Sequence, residues 1–138
     1  MIFNRYKKVT ILSFLMLTSF LFSQDTEAIR ASLEDNWNFC KYVTSKHYCE
    51  NNESRLNCEF QITFSKNEYT LLRDSVEIDN GTFEIDHRYD EVYFINFDSV
   101  RQGEILNILG ISGVQLHNQD DGFMLFVEQT SDLYLLKK

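Results

Sequence analysis

The sequence predicts an all-β domain: an antiparallel up-and-down β-barrel of about eight strands, preceded by a short N-terminal helix. Three observations carry this. Apolar and polar residues alternate in short runs, most cleanly where Phe60, Ile62 and Phe64 interleave with Glu59, Gln61 and Thr63. Turn residues punctuate the runs at roughly 8–12-residue spacing. No long helical crossover separates consecutive runs, so each strand returns beside its predecessor. Closing such a sheet removes its exposed edges, which favours a barrel over a two-sheet sandwich.

The elements follow in order. Thr26 to Leu33 reads as a short helix, with Thr26 as its cap and Ile29 and Leu33 four apart on one face. Trp37, Phe39, Lys41 and Val43 alternate with Asn38, Cys40, Tyr42 and Thr44 as a first strand, and Ser45 to Asn57 is a polar loop. The strand through Phe60 and Phe64 turns at Lys66–Asn67 into Tyr69 and Leu71. Val76 and Ile78 form a short strand before Asn80–Gly81, which reads as a type I′ hairpin turn leading into Phe83 and Ile85. After a polar turn from His87 to Asp90 comes the apolar strand Val92 to Phe97. Val100 to Gly113 is ambiguous: Ile105, Ile108 and Leu109 suit a helix, whereas Gly103, Gly110 and Gly113 interrupt one, and the stretch is read as a bulged strand or bent connection. Strands from Val114, from Phe123 to Val127 and from Leu133 to Leu136 complete the chain.

Residues 1–23 form a separate segment, a secretory signal peptide. Arg5, Lys7 and Lys8 precede an apolar run from Val9 to Phe22, and polar Ser23 to Thr26 follow. The run is short of the ~20 residues that cross a ~30 Å hydrocarbon core, so no stable membrane insertion is expected after cleavage. Cleavage after Ser23 leaves residues 24–138 as one exported domain, periplasmic or secreted. That segment removes three cations and no acid. The mature part therefore holds ten Lys and Arg against 21 Asp and Glu, a formal charge of −11. Such a surface repels nucleic acid and anionic lipid, and suits a basic protein partner. An aromatic content of 14% argues against disorder.

Cys40, Cys49 and Cys58 are evenly spaced. In an oxidising compartment they allow one disulfide and one leftover thiol. Cys40 and Cys58 fall opposite one another if they lie on adjacent antiparallel strands, but a pairing of either with Cys49 is also open. Cys-rich metal binding is disfavoured by the absence of a C-x-x-C spacing.

Several of these features together resemble the small lipocalin-like domains of exported bacterial proteins. They are the signal peptide, the short helix, and a first strand opened by Trp37. They continue with Phe60, Ile62 and Phe64 ahead of Lys66–Asn67–Glu68–Tyr69–Thr70, then Asn80–Gly81–Thr82–Phe83–Glu84–Ile85, and the closing strand Leu133 to Leu136. Where lipocalins carry Gly-x-Trp, this chain has Asp35 in the glycine's place. The resemblance implies that Trp37 closes one end of the barrel beneath the helix. It also implies a small apolar or amphipathic ligand held within the barrel or at its mouth. Residues expected to line such a site are Trp37, Phe60, Phe64, Tyr69, Phe83, Phe94 and Phe126. The alternative is a filled barrel that acts through its surface, binding or inhibiting another envelope or secreted protein.

No catalytic constellation is visible. His47, His87 and His117 stand far apart beside polar turns, which suits solvent-exposed side chains. Asp86, Asp90 and Glu91, and Asp120 with Asp121, do not fit a calcium-loop pattern. A non-enzymatic protein with no cofactor and no metal is expected.

Overall fold

The computed structural model describes residues 25–43, 55–100, 103–111 and 113–138. Helix α1 covers residues 25–33. Eight strands follow: β1 (Asp35–Val43), β2 (Arg55–Ser65), β3 (Glu68–Arg73), β4 (Val76–Tyr89), β5 (Val92–Ser99), β6 (Val114–Gln119), β7 (Gly122–Val127) and β8 (Asp132–Lys137). A second helix, α2 (Glu104–Leu109), lies between β5 and β6. All neighbours pair antiparallel in chain order, and β1 pairs with β8 through Asn38↔Lys137 to Lys41↔Tyr134, closing the barrel. The signal peptide, His47 and Cys49 lie outside the described residues.

The up-and-down order sends alternate turns to opposite ends. The turns at 66–67, 90–91 and 120–121 stand at the α1 end, and those at 74–75 and 128–131 at the α2 end. At the first end Leu33 is fully buried, and the Trp37 indole Nε1 donates to the Leu33 carbonyl at 2.8 Å. The tryptophan thus satisfies a carbonyl that the end of α1 leaves open, while its ring packs edge-on against Phe123 at 5.7 Å. Glu34 accepts the Lys66 backbone N–H at 2.8 Å, tying the end of α1 to the β2–β3 turn.

Two expectations are corrected. Asn80–Gly81 is no hairpin turn: both residues sit inside the 14-residue strand β4. Thr82 pairs with Glu68 on one side and Asp98 on the other, so the ladder runs straight through. The stretch after β5 is a helix, because its glycines flank α2 and do not interrupt it. Gly103 takes φ 74° at the N-cap and Gly110 φ 80° at the C-cap, and between them Ile105 and Leu109 share a buried face. The chain makes only two register pairs between β5 and β6, Tyr93↔Leu116 and Phe94↔Gln115, and α2 follows β5 where that ladder is missing.

Cys40 and Cys58 form a disulfide across the β1–β2 ladder. The bond spans 18 residues of sequence. By the chain-entropy relation, closing a loop of that length contributes about 3 kcal/mol. We expect Cys40→Ala/Cys58→Ala to lower the urea-unfolding free energy by about that amount. Reductant should reproduce the loss in the wild type and leave the double variant unchanged; a reductant-insensitive wild type would contradict the expectation.

Candidate functional site

The interior was the place to look for a ligand, and it is occupied by side chains. Trp37, Phe39, Ile62, Phe64, Tyr69, Leu71, Phe83, Ile95, Leu116 and Leu125, drawn from seven strands, are each no more than 5% exposed and belong to one cluster. The rings interlock: Phe64 meets Phe83 edge-on at 4.9 Å, Tyr69 meets Phe97 edge-on at 5.0 Å, and Phe39 stacks on Tyr134 at 5.0 Å. Leu33 plugs one end and Ile105 and Leu109 the other.

Of the seven residues expected to line a cavity, Trp37, Phe64, Tyr69 and Phe83 lie in this packed interior, and Phe60 packs against it at the α2 end. Phe94 and Phe126 do not. Phe94 is in register with Asp86 and Gln115, and Gln115 with Phe126, so all four occupy the outer face of the sheet. Their neighbours Ile95, Leu125 and Val127 point inward. Val92 to Ile95 is a continuous apolar run, and periodicity cannot say which half of such a run faces in. Arg88 covers the Phe94 ring on the outside, with its guanidinium carbon 4.1 Å from the ring centre.

The one buried charged side chain among the described residues is Asp79, on β4. A register shift comes just before it on β4, where Ile78 is the extra residue and Glu77 pairs with Leu72. Asp79 itself stands opposite Leu71 and alternates inward with Gly81, Phe83 and Ile85. There its carboxylate accepts four hydrogen bonds. The Ser99 hydroxyl donates to Oδ1 at 2.5 Å and the Asn80 N–H at 2.9 Å; the Tyr69 hydroxyl donates to Oδ2 at 3.2 Å and the Ile105 N–H at 2.9 Å. The last bond matters for the fold. Gly103 offers α2 no side-chain cap, so a strand residue supplies the acceptor that the first turn lacks. Asp79 thereby fastens the α2 plug to β4, and Tyr134 does the same at the far end by donating its hydroxyl to the Ile108 carbonyl at 3.3 Å. With its acceptor positions filled by protein donors, this cluster is equipped to hold structure and has no place for a substrate proton.

Burial, reinforced by the Asp79 carboxylate and opposed by a hydrogen bond with Ser99, pushes the Tyr69 hydroxyl from 10.0 up to about 12. The folded state therefore holds the phenolic proton more tightly than the unfolded chain. The resulting stability is whole below pH 10 and is lost as pH rises towards 12, about 2–3 kcal/mol in all. The stability difference between wild type and Tyr69→Phe, measured by urea unfolding, is expected to fall by that amount across this window. A difference that stays constant from pH 9 to 12 would contradict it.

The two described histidines, His87 and His117, do not assemble either. His87 is half-buried on β4 and stacks on Tyr93 at 4.7 Å, so it is not the freely solvated side chain that the sequence suggested. His117 is half-buried on β6, its Nε2 3.1 Å from the Gln115 Oε1. Residues of β4 and β6 in register place His87 with the inward set and His117 with the outward one. Asp86 is engaged by Arg88 at 3.4 Å, and among the described residues no three His, Cys, Asp or Glu side chains gather as a metal site.

Grooves lie at both barrel ends. One of about 670 Å³ opens at the α1 end between Trp37, the β6–β7 turn and Lys138. Another, about 290 Å³, runs beside α2 over Phe39, Phe60, Ile108 and Tyr134, with Lys41 and Asp132 paired at 3.3 Å on its edge. Sequence reasoning found Phe60 but missed the rest of this groove, because the stretch that forms α2 reads as a bulged strand or bent connection. Asp79 was also missed. A carboxylate just before Asn80–Gly81 reads as a turn residue, and only the continuity of β4 through that pair puts it on the inward face with Gly81, Phe83 and Ile85. Compared with family models, curated proteins and solved structures, the chain matches none of them.

Proposed function

We propose that this protein is an exported, non-enzymatic lipocalin-like module whose barrel is a solid scaffold and whose surface binds another protein of basic character. The filled interior supports this reading most directly. A calyx needs a void, and here the large aromatic side chains that might have lined one pack against each other instead. The net charge supports the choice of partner. The disulfide is compatible with export, and no helix among the described residues is long and apolar enough to cross a membrane.

The alternative, a carrier of a small apolar ligand, makes a different prediction. The protein purified after export, with its N-terminus at Gln24 verified by intact mass, is titrated with a fluorescent fatty acid while Trp37 emission is followed. A surface module gives no saturable response. Saturable micromolar binding displaced by unlabelled lipid would instead establish the carrier and sink the proposal.

A further inference from the structure

Five large apolar side chains among the described residues are exposed: Leu56, Val76, Tyr89, Val100 and Ile111. Scattered singly, such residues carry no meaning. These are not scattered. Four of them stand at the α2 end, where Leu56 lies near the start of β2, Val76 begins β4, Val100 follows β5 and Ile111 follows α2. Tyr89 alone lies at the α1 end. Val76, Val100 and Ile111 are also the three most exposed, at 62%, 78% and 82%, and they occupy consecutive positions around the rim.

The local structure explains how they come to be presented. β4 begins five residues before its first β5 partner, Gly81, so Val76 rides on a β3–β4 hairpin that projects past the end of β5. The Val100 N–H donates to the Asn80 carbonyl at 2.8 Å, which binds the chain leaving β5 to the base of that hairpin. Asp79 fastens α2 in the same angle through Ile105. Ile111 follows the Gly110 cap, whose positive φ turns the chain out of the helix. The three apolar side chains are thus held on backbone that is itself anchored, which lowers the ordering entropy a partner must supply. By strand spacing and tilt the rim of an eight-stranded barrel is roughly 15 Å across, within reach of one short peptide segment.

Charge selects the kind of partner. Asp74, Glu77, Asp98 and Glu104 are all exposed on the same arc, between the β3–β4 turn and the first turn of α2. Against these four carboxylates the sequence from Val92 to Ile111 offers Arg101 alone. Of the described cations at this end, Arg73, in register with Val76, is engaged by Glu59 at 3.4 Å, and Lys41 by Asp132 at 3.3 Å. A second copy of this chain would bring the same carboxylates to the contact, and an anionic lipid surface would be repelled.

From this arrangement we infer that the arc of Val76, Val100 and Ile111 is the docking face for a Lys- or Arg-rich polypeptide segment that presents apolar side chains. The inference rests on the surface-module reading and gives it a location. The apolar side chains of the partner cover the three exposed anchors, and its cations meet the surrounding carboxylates, which fix register and speed encounter.

The test uses the protein purified after export and an amidated heptapeptide alternating Lys with Leu and Phe, with a Glu-for-Lys peptide as its counterpart. Wild-type protein is expected to bind the lysine peptide saturably and more weakly as salt rises, and to ignore the glutamate peptide. Val100→Ser/Ile111→Ser should weaken binding about tenfold, and Asp98→Asn/Glu104→Gln should flatten its salt dependence. Tyr89→Ser, at the opposite end, should change it by less than about twofold. All substituted side chains are exposed, and a near-ultraviolet circular dichroism spectrum matching the wild type verifies the fold of each variant. Equal losses at both ends, or no binding of the lysine peptide by folded protein, would overturn this assignment of the face. Neither result would revive a carrier, which only the fatty-acid titration can do.

Discussion

Asp79→Ala is expected to lower the unfolding free energy by about 4 kcal/mol, a large share of what a domain of this size holds in reserve. The reason lies in what the substitution leaves behind. Ser99, Tyr69 and Ile105 all donate to this carboxylate; Tyr69 and Ile105 are buried and Ser99 is half-buried. Each buried donor left without an acceptor costs about 1–3 kcal/mol. Asp79→Asn keeps the volume and one acceptor oxygen, but its amide points further donors at groups that already donate, so about half the loss is expected. Beyond stability, the effect should be local first. With its N–H acceptor gone, α2 should lose hydrogen-exchange protection at Ile105 through Leu109 before the strands do. Uniform loss of protection across β1–β8, with α2 no more affected than the rest, would mean that Asp79 supports the barrel and not the plug. A loss below about 1 kcal/mol would mean that water satisfies these donors.

This carboxylate also marks the limit of what the sequence discloses. The strands are legible because each must bury one face, and burying one face imposes period two: Phe60, Ile62 and Phe64 are in, Glu59, Gln61 and Thr63 are not. The short helix is legible for a similar reason, since Leu33 lies on its apolar stripe and is fully buried. Strand count favours the closed barrel, and spacing makes Cys40–Cys58 one of the open pairings; the structure has both the closure and that bond. What stayed hidden depends on contacts between elements far apart in the chain. α2 is six residues long and is held by Asp79 and Tyr134; Ile105, Ile108 and Leu109 carry a helical spacing, but too short a one to outweigh glycines that read as interruptions and are in fact its caps. Phe94 and Phe126 are as apolar as their inward neighbours, and only the register of β5 with β4 and β6 shows which side they take. The exposed arc at the α2 end was invisible for the same reason. Val76, Val100 and Ile111 stand 35 residues apart at the extremes, and the topology alone brings them to one rim.

Gly81→Ala is expected to be at least as damaging as Asp79→Ala, and it separates two readings of the same dipeptide. In a type I′ turn after Asn80, a glycine is needed for its positive φ, and alanine there costs about 1 kcal/mol. In the barrel Gly81 lies inside β4, has no left-handed φ, and is needed for space. A Cβ at this position would sit 1.9 Å from the Asp98 carbonyl oxygen and 2.9 Å from its carbonyl carbon, both backbone atoms of the neighbouring strand. Flexible side chains yield to such a contact, whereas a strand can yield only by giving up ladder hydrogen bonds. The β4–β5 pairing therefore has to part near Gly81↔Ser99, the point where Ser99 reaches Asp79 and Val100 reaches Asn80. A loss of about 4 kcal/mol or more is expected in urea unfolding, with exchange protection falling first along β5 from Phe97 to Val100. The same change would also disturb the base of the proposed docking arc, so Gly81→Ala protein that remains folded should bind the lysine peptide less well. A loss of only about 1 kcal/mol, with β5 protection intact, would return Asn80–Gly81 to a turn and divide β4 in two.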